Sequence, residues 1–173
     1  ALHAGPFEVW HDTYQDVPLR LFARKSMAQY VKTDEWFIPT KQSFAFFNDY
    51  FGIDYPFGKY DQVIVPDYNS GAMENVAAVT FNEAYISRGE KSEASRRGLA
   101  NTIAHELAHM WFGNLVTMKW WNGLWLNESF ATYMANLALD KASDFDQIWD
   151  SFYSGTKQWA YRTDQSVTTH AIE

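Results

Sequence analysis

Cysteine is absent from the 173 residues, so disulfides and thiolate metal sites are excluded, and the compartment stays undecided. No apolar run approaches the roughly 18 residues of a membrane-spanning helix. The first ten residues, "ALHAGPFEVW", lack the basic-then-apolar pattern of a secretory leader. Basic residues are few: 14 Lys and Arg stand against 21 Asp and Glu, a formal net charge of −7, with no basic block. That balance argues against nucleic acid or an anionic membrane as the main partner. Repeats and low-complexity linkers are also missing.

What the chain has in quantity is apolar and aromatic surface. Hydrophobic residues make up 47% and aromatics 18%, with eight tryptophans and thirteen phenylalanines. This is the composition of a folded globule about the size of one domain. In the first quarter "FEVWH" and "PLRLFA" alternate as short strands around a polar turn, "DTYQDV". Trp36 to Phe51 carries apolar residues at helical spacing and stops at Gly52. "QVIVP" and "AAVTFN" read as strands joined by the loop "DYNSGAMEN".

Beyond "SRGEKSEAS", read as a solvated loop, the pattern turns helical. Ser92 or Ser95 can cap a helix running to about Phe112 and stopped by Gly113 and Asn114. A second helix begins between Asn122 and Asn127 and runs to about Lys141. Asp144 and Gln147 form a capping box for a third through about Tyr161. Strands followed by helices give an α+β order. A single domain is expected, with a β-rich lobe over residues 1–90 and a helical lobe over 91–173.

The stretch "TIAHELAHMWFGN" carries the chemistry. Residues four apart on a helix lie about 40° apart on one face, so His105 and His109 can share one tetrahedral zinc. Glu106 stands beside them. Zinc lowers the pKa of a bound water to around 7, and a neighbouring carboxylate can take the proton as that water attacks a carbonyl. Two surface histidines with a solvated glutamate would give the same letters, so a third ligand is needed to decide. Glu128, after 18 intervening residues, is the candidate: a loop of that length lets the next helix fold back on the first. Leu124, Trp125, Leu126 and Phe130 around it suggest a mostly buried place, where a lone carboxylate must be paired or metal-bound.

Together "HELAH", the glutamate in "WLNES" and the upstream "GAMEN" resemble the gluzincin zinc aminopeptidases of the aminopeptidase N family. The likeness runs from "PLRLFAR" to "TTHAIE". It implies a thermolysin-like catalytic domain, incomplete here, in which His105, His109 and Glu128 hold one zinc and Glu106 is the general base. Glu74 would bind the free ammonium of a peptide by a charge-assisted hydrogen bond. Asn75 and the Gly71–Ala72 backbone would hold the peptide, and Ser70 would border the first side-chain pocket. The partners implied are peptides with a free N-terminus and neighbouring N- and C-terminal domains. A tyrosine that stabilises the oxyanion would lie further along than Glu173.

Two rivals stay open. An epoxide-hydrolysing relative keeps the zinc but lacks the alanine matching Ala72. A scaffold built on an inactive peptidase fold usually loses a ligand or the base, and all four residues stand here. The sequence departs from common family members at Gly123, Ser129 and Ala171, none a proposed ligand. Trp111, Trp120, Trp121 and Trp125 read as core, Glu83 as a surface residue, and His3, His11 and His170 as structural or exposed.

Overall fold

A computed structural model describes residues 2–169. The first two strands, β1 (Phe7–Tyr14) and β2 (Val17–Arg24), pair in register from Phe7↔Arg24 to Tyr14↔Val17. Only Gln15 and Asp16 remain for the turn, so both strands reach into the stretch expected to be loop. Two contacts draw it in: Tyr14 stacks on Phe44 at 5.3 Å, and the Thr13 hydroxyl donates to the carbonyls of Gln15 and Val17.

Helix α1 (Asp34–Phe51) crosses from β2 to β3 (Tyr60–Val65), which lies parallel to β2. Its buried residues Trp36, Phe37, Thr40, Phe44 and Phe47 recur at three- and four-residue spacing, one stripe of a helix. It ends as expected at Gly52, in the left-handed region at φ 62°, whose N–H donates to Asn48 O. Strand β5 (Ala78–Asn82) is parallel to β3. The expected loop between them holds one more short strand, β4 (Ala72–Met73), antiparallel to β5. The sheet order is β1-β2-β3-β5-β4, so β4 is an edge, and with the helices that follow the architecture is α+β.

Helix α2 (Glu93–Ala108) starts at Ser92, whose hydroxyl accepts from Ser95 N. It stops earlier than Phe112, because the chain widens after Ala108: the N–H groups of Asn114, Leu115 and Val116 reach back to the carbonyls of His109, Met110 and Trp111. Helix α3 (Leu124–Ala142) begins and ends where expected. The third expected helix is broken into α4 (Ile148–Ser151), a π-helical turn (Phe152–Lys157) and α5 (Gln158–Asp164). The Asp144–Gln147 box does not form. Gln147 sits at φ 56° with no side-chain cap, and the Ser143 hydroxyl accepts from Phe145 N instead.

One apolar core runs through strands and helices, joining Leu19, Leu21, Ile64 and Phe81 to Leu99, Ile103, Leu107 and Met134. Trp111 belongs to it, 2% exposed, with its indole N–H donating to Ile53 O. Trp120, Trp121 and Trp125 do not: they are 69%, 68% and 43% exposed, set on the loop and first turn outside the α2–α3 contact. Glu83 is not a surface residue either. Both its oxygens accept from Arg24, at 2.5 and 2.6 Å, across the sheet end. In the stretch read as solvated, Lys91 pairs with Glu35, both largely shielded. His3 bonds to the Thr80 hydroxyl and His11 is exposed; His170 and Ala171 lie outside the described residues. Among the described residues no helix is long and apolar enough to cross a membrane.

The two glycines flanking the turn after α1 make a controlled comparison. A Cβ at either Gly52 or Gly58 meets nothing within 4 Å, but only Gly52 has a positive φ. Gly52→Ala is expected to lower unfolding stability by about 1 kcal/mol through backbone strain alone, and Gly58→Ala to lower it not at all. Urea unfolding of the two variants checks this.

Candidate active site

The site forms where the end of α2, the start of α3 and the β4 edge meet. His105 and His109 sit one helical turn apart, which brings their Nε2 atoms to 3.0 Å. The fold-back of α3 places Glu128 Oε2 at 3.6 Å from His105 Nε2 and 3.7 Å from His109 Nε2. These three residues form a group that could hold a metal ion. The donor set fits zinc. Ligands at 2.0–2.2 Å in a tetrahedron stand roughly 3.3–3.5 Å apart, close to the three separations found. His109 Nδ1 lies 3.1 Å from Phe112 O and 3.0 Å from Asn127 Oδ1, both acceptors. These acceptors hold a proton on Nδ1, so the proton that His109 gives up to become a ligand is the one on Nε2, which faces His105 and Glu128.

Glu106 is 5% exposed, and its Oε2 has no hydrogen-bond partner among the described residues. Burial, together with Glu74 and Glu128 nearby, outweighs the attraction of His109 and pushes its pKa up to about 8. His109 responds oppositely. Burial alone would lower it, but the Glu128 carboxylate, Glu74 and the Phe112 carbonyl raise it to about 9. Glu128 is held far below the usual carboxylate range by His105 and His109, against its own partial burial.

A cavity of about 400 Å³ opens onto these groups, walled by Ser70, Gly71, Ala72, Glu74, Tyr85 and Thr102, among others. Gly71 O accepts from Asn82 N, which fixes the loop to β5. A Cβ on Gly71 would stand 3.0 Å from the Tyr85 hydroxyl, so any larger residue there would have to push that tyrosine aside by a few tenths of an ångström. Glu74 reaches the cavity from the end of β4. Asn75, expected to hold a peptide, turns its side chain away and donates to the Thr80 hydroxyl, a contact that shapes the loop.

One expectation about the setting is corrected. Glu128 does not lie in a buried place: its side chain is 51% exposed, and Leu124, Trp125 and Leu126 are 41–45% exposed. The apolar residues there mark the outer face of the first turn of α3, and only Phe130 packs inward, against Phe112 at 4.3 Å. The carboxylate is shielded by its histidine neighbours rather than by hydrocarbon.

Three polar residues escaped the sequence reading. Asn127 contacts His109, as above; Thr132 Oγ1 lies 3.4 Å from His105 Nδ1; Asn114 Nδ2 donates to Glu74 O at 2.9 Å. Thr132 follows Glu128 by one helical turn, a spacing that could have marked it. The sequence marks Asn114 only as a helix stop.

An α+β domain with two histidines and a glutamate converging beside a buried carboxylate defines the class: a protein with a His-Glu-x-x-His motif whose side chains could hold a metal ion. The family model described as "Peptidase family M1 domain" matches residues 37–173. Aminopeptidase N of Streptomyces lividans is 48% identical over 99% of this chain and 21% of its own length. Tricorn protease-interacting factor F2 of Thermoplasma acidophilum is 41% identical over 98% of this chain and 21% of its own. Leucyl aminopeptidase of Saccharolobus solfataricus is 42% identical over 78% and 17%. The chain belongs to peptidase family M1. It spans about a fifth of the length of these relatives.

The raised pKa of His109 sets how metal loading depends on pH. Its protonated form is favoured in the fold, so that contribution is full below pH 6.5 and is lost as pH rises through about 9. Metal binding must displace the proton. At pH 7.5 zinc uptake by chelator-stripped protein is expected to release at least about one proton, with affinity rising up to about pH 9. Calorimetry in buffers of different ionisation enthalpy measures this; affinity independent of pH between 7 and 9 would contradict it.

Proposed function

We propose that this chain carries the catalytic centre of a zinc aminopeptidase that releases N-terminal amino acids from peptides. The observation that carries the reading is the convergence of His105, His109 and Glu128 within 4.8 Å of one another, beside a cavity whose wall holds Glu74 and the buried Glu106. The aminopeptidase names of several relatives support it.

His105, His109 and Glu128 would hold the zinc ion, whose Lewis acidity would polarise the substrate carbonyl and make water a nucleophile near neutral pH. Glu106 takes the proton from the attacking water and returns it to the departing amine. A carboxyl raised toward neutrality by burial suits both tasks. Glu74 accepts a charge-assisted hydrogen bond from the ammonium of the first residue. The distance between Glu74 and the ligands then sets how many residues are removed: the scissile carbonyl must lie one residue from the amine. Gly71 and Ala72 present backbone along the substrate, and Asn75 keeps the loop in shape through Thr80. Ser70 borders the same cavity.

Glu106→Gln in the full-length protein is the direct test. The substitution preserves size and leaves the three ligands intact but removes the base. Zinc content is expected to stay at about one per chain, while turnover of aminoacyl amides falls by a factor of about 10² to 10⁴. Metal analysis and steady-state kinetics on the same preparation decide it. Near-normal turnover would remove Glu106 from the mechanism.

A further inference from the structure

The metal ligands lie on two helices and Glu74 on a sheet edge, so something must hold the two parts in register. Asn127 touches both. Its Oδ1 accepts from His109 Nδ1 at 3.0 Å. Its Nδ2 points at two carboxylates, Glu74 Oε1 at 3.4 Å and Glu128 Oε1 at 3.3 Å. The amide cannot be turned over: a flip would set its oxygen against both carboxylates and its NH₂ against the His109 N–H.

The fold makes room for this one group. Gly113 stands at φ 133°, and a Cβ there would lie 2.2 Å from Asn127 Oδ1. The next residue, Asn114, donates to the Glu74 carbonyl at 2.9 Å. The wide turn after α2 therefore serves the same end twice, admitting the Asn127 amide and gripping the backbone of Glu74.

We propose that Asn127 is a positioning residue that couples the metal centre to the amine-recognising carboxylate. Its oxygen fixes the His109 tautomer and ring plane, and its NH₂ holds Glu74 and Glu128 at a set separation. The coupling to the metal ligands stands on geometry alone. The amine-recognition part rests on the aminopeptidase reading.

The test uses the full-length protein and two variants. Asn127→Asp keeps an acceptor for His109 but turns a negative oxygen toward Glu74 and Glu128. Asn127→Leu keeps the branched shape, is somewhat larger, and loses every hydrogen bond. Zinc affinity, read by competition with a chromophoric chelator, is expected to fall about 10- to 100-fold in the leucine variant. In the aspartate variant it should stay within about tenfold. KM for an aminoacyl anilide is expected to rise at least about tenfold in both, with kcat in the aspartate variant changed much less.

A double-mutant cycle on zinc affinity, pairing Asn127→Leu with Glu74→Gln, reads the coupling without any turnover. Non-additivity of about threefold or more is expected. Additive effects, or a leucine variant that binds zinc as tightly as the parent, would overturn the proposal even if the aspartate variant alone folds well enough to measure KM. A non-additive cycle in a parent that hydrolyses no aminoacyl substrate would leave the Asn127 coupling standing and bring down the aminopeptidase reading instead.

Discussion

Three carboxylates and the His105 imidazole share one cavity wall, and the repulsion among the carboxylates is the constraint on which the site depends. Glu74, Glu106 and Glu128 lie close enough that Glu74 and Glu128 both help to raise the Glu106 pKa. Among the described residues, no lysine or arginine lines that cavity. The positive charge that makes the cluster tolerable comes from His109, which is pulled up to about 9 by its carboxylate neighbours and carries a proton that a divalent cation would replace with twice the charge. The arrangement would favour a cation at the point where Nε2 of both rings and Oε2 of Glu128 meet.

The rest of the fold serves to keep that crowded spot in place. Leu99, Ile103 and Leu107 on α2 are buried in the same core as Ile64 and Phe81 of the sheet, so the helix bearing both histidines cannot shift relative to the β4 edge without disturbing apolar packing. Trp111, just past the second histidine, packs within 6 Å of Phe47, Phe51 and Tyr55 and bonds to Ile53 O. The anchor below the site is aromatic and rigid. The groups above it are polar and partly exposed.

How much of this could be read in the sequence follows from what each feature depends on. The histidine pair is set by helix geometry alone, and Glu128 by a short local fold-back, so spacing sufficed. Glu74 came from a motif whose likeness to a family is strong. Asn127 sits next to Glu128 in "WLNES" yet passed unnoticed, because its importance arises from the approach of β4 and from the space at Gly113, both tertiary facts. The apolar letters around Glu128 suggested burial, but hydrophobicity does not say which face of a helix turns outward. Glu83 was misjudged for a related reason: its partner Arg24 lies 59 positions away and meets it only through sheet order. The capping box at Asp144 matched a local rule that Ser143 satisfied first.

The start of α3 has a consequence for the energetics of the whole site. Gly123 precedes it with no side-chain cap, and its first three residues are 41–45% exposed. A helix beginning with uncapped N–H groups and little burial frays readily. Yet that turn carries Glu128. A cation gripped by Glu128 and by the two histidines at the end of α2 would pin the fraying end to a buried helix and do the work a capping side chain does elsewhere. Ion occupancy and local order in the Leu124–Phe130 turn would then be one equilibrium, and the protection of its amides against solvent exchange a gauge of how full the site is.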